Sequence, residues 1–403
     1  MPSNLRTGHG RPSHVIVASR IFLPEPAAAS FRLAALARSL ARSGASVDVM
    51  TTTAPQGEIE RGALPEAVRI RRWPVLRDRA GYVRGYVQYL SFDVPLFLRL
   101  LAGRRPDIVV VEPPPTSGAV VRMVCALRRV PYVYYAADVV SDAAESTGAP
   151  RLVVRAVRAV ERFALRGSRR TVAVTPEVEA RVRALGAKDV VVVRHGVDTR
   201  IFRPDVEPEP AAPQGPFALY AGNASEWHGA EIFVQAMKRV LEQVPDAQLV
   251  VMGHGSMRPR LEELAAGLPD GGACITFLPT VDPRAVARWF RAARVALSSI
   301  RPDVGYDFAI PTKSLAAAAV GTPVLHVGPG PTGELVREGG LGEAVEYDVQ
   351  TVADAMALML GQEPDDRARA RSAAWIAARA SSDVTGAAVA SSVLLAVGRP
   401  ADT

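Results

Sequence analysis

Cysteine occurs only twice in 403 residues, as Cys125 and Cys274, far apart in the chain. That excludes a disulfide framework and a cysteine-built zinc cluster. No apolar run reaches the ~18 residues of a membrane span. The stretch Met1–Ser13 is polar, contains glycine and proline, and lacks the apolar centre of a signal peptide. A frayed tail over 1–13 and a cytoplasmic protein are therefore expected. Lysine is scarcer still, since Lys188, Lys238 and Lys313 stand against forty-five arginines.

What is present fits a globular chain of two domains: 48% hydrophobic and 22% charged residues. Charge is unevenly shared. Residues 1–204 hold 32 basic and 17 acidic side chains, and the remainder 16 and 24. A genome-wide preference for arginine explains arginine over lysine but not the difference between halves. The basic half suggests an anionic partner. Nucleic acid is not expected, because no binding module or stacking array accompanies the charge.

Short apolar runs alternate with segments of helical period. Val15–Ser19, a loop, the helical spacing of Leu33, Leu36, Ala37 and Leu40, and Val47–Met50 read as strand, helix and strand. Ile108–Val111, Tyr132–Tyr135, Thr171–Val174 and Val190–Val193 continue as buried strands. Residues 205–216 carry four prolines and read as a stiff linker. The rhythm restarts at Phe217–Tyr220 and runs to a helix near 365–380, with a further helical stretch to Val397. The expected organisation is α/β: a Rossmann-like domain over 14–204, the linker, a second over 217–380, and a helical segment 381–403 crossing back to the first. Ligands of doubly wound sheets bind beyond the carboxyl ends of the strands.

Residues 309–325 are the most informative segment. Pro311 opens a helix, Gly321 closes it, and Pro323 and Val324 start a buried strand. In retaining glycosyltransferases of family 4, which this segment resembles, such a helix faces a diphosphate, and a diphosphate needs close backbone amides and a helix N-terminus, whose dipole attracts negative charge. Gly222 and its neighbours let the backbone approach, and Lys313 neutralises phosphate as a point charge. On the bland reading Lys313 decorates a first turn, where a cation is unfavourable.

This segment resembles the donor-binding helix of retaining glycosyltransferases of family 4. Other fragments follow in that family's order: Phe22-Leu23-Pro24-Glu25, Asp138 after a buried strand, His195-Gly196-Val197-Asp198 through Phe202-Arg203-Pro204, Tyr220-Ala221-Gly222-Asn223 with His228-Gly229, Gly253-His254-Gly255, and Phe277-Leu278-Pro279. The resemblance implies a GT-B fold, two Rossmann-like domains facing a central cleft. It implies sugar transfer with retention, from a nucleoside-diphosphate sugar to a hydroxyl of a saccharide, lipid-linked or natural-product acceptor, with no metal or cofactor. Gly222, Asn223, His228, Gly253, Leu278, Asp307, Phe308, Ala309, Ile310, Thr312, Lys313 and Glu334 would bind the donor. Glu25, Arg32 and Asp138 would serve the acceptor, and Asp138 and Lys313 the chemistry. His228 would bond a phosphate oxygen or cap its loop, and Asp138 would orient an acceptor hydroxyl or cap a helix.

The chain departs from the pattern at four places, the first two being Asn223 and His228, where the family often has Arg and Lys. Ala316 stands where the family has a ribose-binding glutamate, and Phe308 where it has another eight positions earlier. Losing a charged hydrogen-bond partner costs about 1.5–3 kcal/mol. Asp307 or Asp303 substitutes at the sugar, or Glu334 approaches the ribose; the sequence leaves these open. A non-catalytic GT-B partner protein is the competing reading, and a sugar-nucleotide 2-epimerase a third.

Arg151, Arg155, Arg158, Arg162, Arg166 and Arg169 recur every three or four residues, one stripe on a helix. Tyr86, Tyr89, Phe92, Phe97 and Leu98 add an aromatic-rich stretch. Together they suggest contact with an anionic membrane at its inner face, against the plainer readings of a solvated face and a packed helix.

Overall fold

The computed structural model describes residues 12–25, 27–54, 64–78, 81, 83, 85–146 and 149–398. The expected tail 1–13 lies outside them apart from Pro12 and Ser13. The chain divides into two compact units, residues 1–195 with 382–403, and residues 196–381.

The first unit runs β1 (His14–Ala18), α1 (Ala28–Arg42), β2 (Ser46–Thr52), β3 (Val68–Trp73), α2 (Tyr86–Ala102), β4 (Ile108–Val111), α3 (Pro115–Arg128), β5 (Tyr132–Ala136), α4 (Val140–Ser146), α5 (Arg151–Gly167), β6 (Arg170–Ala173), α6 (Pro176–Ala184) and β7 (Val190–Val192). The strands form one parallel sheet in the order β3-β2-β1-β4-β5-β6-β7. β1, β4 and β5 are buried along their whole length, as expected of strands covered on both faces. The edge strand β3, Val-Arg-Ile-Arg-Arg-Trp, alternates in exposure.

The second unit runs β8 (Phe217–Ala221), a 3₁₀ turn Glu226–His228, α7 (Glu231–Gln243), β9 (Gln248–Met252), α8 (Arg258–Ala266), β10 (Ile275–Leu278), α9 (Pro283–Ala292), β11 (Val295–Ser299), α10 (Thr312–Val320), β12 (Val324–Val327), α11 (Pro331–Gly339), β13 (Gly342–Val345), α12 (Val349–Gly361) and α13 (Asp366–Arg379). Its parallel sheet has the order β10-β9-β8-β11-β12-β13. Helix α14 (Ser382–Val397) belongs to the first unit, where it packs on α1. Gly386 permits that approach, because a Cβ there would lie 2.8 Å from the Ala35 carbonyl oxygen.

Both sheets are doubly wound. In each, strand order reverses beside the first strand, between β1 and β4 and between β8 and β11, and a crevice forms at such a point. The proline-rich segment 205–216 lies inside the second unit rather than between units: the Glu209 amide donates to the Arg288 carbonyl at 3.1 Å, and its carboxylate pairs with Arg288 at 3.3 Å. The division falls between His195 and Gly196 instead.

Candidate functional site

In the second unit the crevice is built from the loops after β8, β9 and β11. The Gly222 amide donates to the Met252 carbonyl at 2.9 Å, and the Ala224 amide to the His254 carbonyl at 2.8 Å. Gly253 has φ +124°, and a Cβ there would fall 2.2 Å from the Gly222 oxygen. Only glycine allows these two loops to stack so closely. The Leu278 carbonyl accepts from the Gly253 amide at 3.1 Å and from Arg258 Nη1 at 2.9 Å, so Leu278 acts by bracing the loop through its backbone. Gly222 and Asn223 themselves are exposed.

Pro311, extended at φ −60° and ψ 114°, precedes α10. The helix is buried at seven of its nine positions and ends on Gly321 at φ +91°, the left-handed cap that glycine favours. In its first turn the Ser314 amide donates to the Pro311 carbonyl at 3.1 Å, and the Thr312 and Lys313 amides precede the helical ladder. Lys313 projects from that turn. Its Nζ lies 3.5 Å from the centroid of the Tyr220 ring and donates to the Asn223 carbonyl at 3.4 Å. Burial lowers the Lys313 pKa well below its ordinary value. The half-buried Lys313 thus turns its ammonium toward the glycine loop.

His228 is buried and accepts at Nδ1 from the Ser225 hydroxyl at 2.8 Å and the Ser225 amide at 3.4 Å, closing a capping box. Accepting there places the ring proton on Nε2. Burial, and then the Lys313 charge, push its pKa down to about 2. The loop-capping reading is therefore the one observed. Trp227 stacks on His228 at 3.6 Å and on Tyr306 at 4.8 Å, and Tyr306 stacks on Phe308.

Phe308 and Ala316 are both buried, at 7% and 6% exposure, and Ala316 joins the apolar core with Leu219 and Leu315. Ile310 is buried beside them in sequence. Thr312 is the first residue of α10. Asp303, Asp307 and Glu334 are exposed. The Ala309 carbonyl accepts from Thr332 Oγ1 at 3.2 Å, and Gly330 crowds the Asp307 carbonyl, so the 307–309 loop rests on the start of α11, where Glu334 also lies.

In the first unit the crevice is bridged by Ser19 after β1 and Glu112 after β4. Ser19 Oγ donates to Glu112 Oε1 at 2.6 Å, and Arg32 Nη2 donates to Glu112 Oε2 at 2.7 Å. The Arg32 guanidinium also lies 5.0 Å from the Tyr135 ring centroid. Asp138 follows β5, is exposed, and sits in the field of Arg32 and Glu112. The cap of α4 is Glu161, accepting from the Val140 amide at 2.8 Å and the Ser141 amide at 3.1 Å. Asp138 is therefore not needed as a cap. Glu25 pairs with Arg77 at 2.8 Å and lies with Thr52 in a separate polar cluster. Sequence reasoning missed Ser19, Glu112 and Trp227, and had Tyr220 only as the first residue of the loop fragment 220–223. Glu112 had a signal, a carboxylate directly after a four-residue apolar strand.

Two parallel doubly wound units, each with a polar crevice at its switch point, define the GT-B class. Solved structures agree: sucrose-phosphate synthase of Thermosynechococcus elongatus superposes with a TM-score of 0.72 at 19% identity, covering 94% of this chain and 98% of that one. HepE of Anabaena, in complex with UDP and glucose, gives 0.66 at 14% identity, covering 94% and 99%. The glycosyl transferase 4-like domain model matches residues 28–197, and the glycosyl transferases group 1 model residues 215–362. The chain belongs to the family 4 type of glycosyltransferases. It is 33% identical over 219 residues to a D-inositol 3-phosphate glycosyltransferase of Xylanimonas cellulosilytica, covering 49% of each chain. It is 32% identical over 147 residues to a GDP-mannose-dependent alpha-(1-6)-phosphatidylinositol dimannoside mannosyltransferase of Mycobacterium tuberculosis, covering 35% of this chain and 36% of that one. The matched length is about half or less of these curated relatives.

Proposed function

We propose that the chain transfers a sugar, with retention and without a metal, from a nucleoside-diphosphate sugar held by the second unit to a hydroxyl acceptor held by the first, at the inner face of the cell membrane. The observation that carries the reading is Lys313, set in the first turn of α10 and turned onto the Gly222–Asn223 loop. An ammonium, a helix N-terminus and an exposed glycine loop at one switch point suit a diphosphate. In this reading Lys313 and the α10 amides stabilise charge developing on the leaving phosphate, and that phosphate assists deprotonation of the acceptor. His228 donates from Nε2 to a phosphate oxygen. Trp227 and Tyr306 offer flat apolar surface to a ring.

The relatives whose names specify inositol phosphate or phosphatidylinositol acceptors favour a phosphate-bearing polyol or lipid acceptor here. Asp138 orients the acceptor hydroxyl, and Arg32, anchored by Glu112, lends the site positive potential. The buried Ala316 and Phe308 favour a second reading, a non-catalytic partner protein whose donor site is degenerate. Titration calorimetry with UDP, GDP and dTDP separates them. Heat with one nucleotide supports transfer, whereas silence with all three supports the partner protein.

A further inference from the structure

Fourteen large apolar side chains are exposed among the described residues, and ten of them lie on α2, α3 and α5. Tyr86, Val87, Leu90, Val94, Leu98 and Leu101 form a stripe along one side of α2, each 42–63% exposed. Met123 and Leu127 continue it on α3, and Leu152 and Phe163 on α5. These three helices are neighbours: α2 packs on α3 and α3 on α5. Arg122 of α3 lies 4.1 Å over the Phe163 ring, joining the last two. Phe92, by contrast, is fully buried and stacked on Trp73 at 5.0 Å, so the aromatics of α2 do not all belong to the outer face.

Charge on this layer has one sign. The acidic residues of these three helices are Asp93 and Glu161, buried at 2% and 1% exposure, and the carboxylate at the edge of the layer is Glu145 of α4. Arg151, Arg155, Arg162 and Arg166 stand exposed along α5. The arginine stripe is shorter than its sequence spacing suggests. Arg158 is engaged with Glu145 at 2.5 Å, and α5 ends at Gly167, before Arg169. No helix among the described residues is long and apolar enough to cross a membrane.

We infer that the outer face of α2, α3 and α5 docks on an anionic lipid surface, the α2 stripe entering the headgroup boundary while the α5 arginines meet lipid phosphates. Apolar side chains rimmed by arginine, with no exposed carboxylate on the three helices themselves, fit that occupant. A second copy of the chain fits poorly, because its matching face would set arginine against arginine. This inference specifies the membrane placement proposed above and is independent of the donor chemistry. Nucleotide heat tests that chemistry, and lipid sedimentation tests this surface.

The experiment sediments the full chain with vesicles of phosphatidylcholine, alone or with one third phosphatidylglycerol. Two triple variants are compared, Leu90→Ser/Val94→Ser/Leu98→Ser and Arg151→Gln/Arg155→Gln/Arg162→Gln. The native chain should bind the anionic vesicles selectively and release them at high salt. Each triple should weaken partitioning about tenfold or more. Melting temperatures check folding, and single Leu98→Ser and Arg155→Gln variants replace any triple that fails to fold. No binding by the native chain overturns the inference, as does an effect confined to one triple. Dimers in the ultracentrifuge that the leucine triple dissociates, with no lipid binding, would assign the face to a second copy instead.

Discussion

Lys313 Nζ stands 3.5 Å from the centroid of the Tyr220 ring, although ninety-three positions separate the two residues. The ring face partly offsets the loss of water around the ammonium, and the Asn223 carbonyl supplies one acceptor. Neither carries a full negative charge. The site is thus short of an anion, and a diphosphate oxygen would complete it.

Replacing Lys313 by alanine should weaken UDP binding by about 1.5–3 kcal/mol, tenfold or more in Kd, with uridine binding little changed. Parallel titrations with UDP and uridine measure this. Equal losses for both ligands would remove the lysine from the phosphate site.

Proton linkage gives an independent check. Burial lowers the Lys313 pKa in the free protein, and a neighbouring diphosphate raises it again. Between the two values binding takes up a proton, so affinity should fall as pH rises through the free-protein pKa. Calorimetry in buffers of differing ionisation enthalpy should show this uptake in the native chain. Its persistence in Lys313→Met would assign the proton elsewhere.

His228 should make the second unit sensitive to acid. Its folded pKa is about 2 against 6.5 for an ordinary histidine. Below about pH 6.5 the unfolded chain binds a proton that the folded chain refuses, so stability falls as pH drops toward about 2. Thermal melts between about pH 7 and pH 5 should show the slope, and His228→Asn should flatten it. An unchanged slope in the variant would place the sensitivity in other groups.

In the first unit, Glu112→Gln should cost about 3–5 kcal/mol in urea unfolding, because it strands a guanidinium whose side chain is 12% exposed. The double change Glu112→Gln with Arg32→Met should cost less than the sum of the single changes. Strict additivity would mean that the two side chains do not support each other.

The sequence made most of the second unit legible because its strands are short apolar runs punctuated by glycine and proline. Phe217–Ala221, Thr312–Val320 and Val324–Val327 fall where the pattern puts them. The edge strands β3 and β13 escaped, since Val-Arg-Ile-Arg-Arg-Trp and Gly-Glu-Ala-Val are half polar, as solvent-facing edges are. Gly222, Gly253 and Lys313 could be read because phosphate chemistry demands those residue types. The Ser19–Glu112–Arg32 bridge could not, because its members converge only after β4 lies beside β1. The unit boundary escaped for a related reason: the proline-rich stretch is pinned to α9 by Glu209 and Arg288, which no local composition reveals.

Helix α14 makes the first unit discontinuous. Its seal over α1, fastened by Arg42 and Asp383 at 2.7 Å, is supplied by residues translated after the whole second unit. The half of the protein that leaves the ribosome first is therefore finished last. A premature stop shortly after Ala380 would leave its α1 face uncovered while sparing the later-made half.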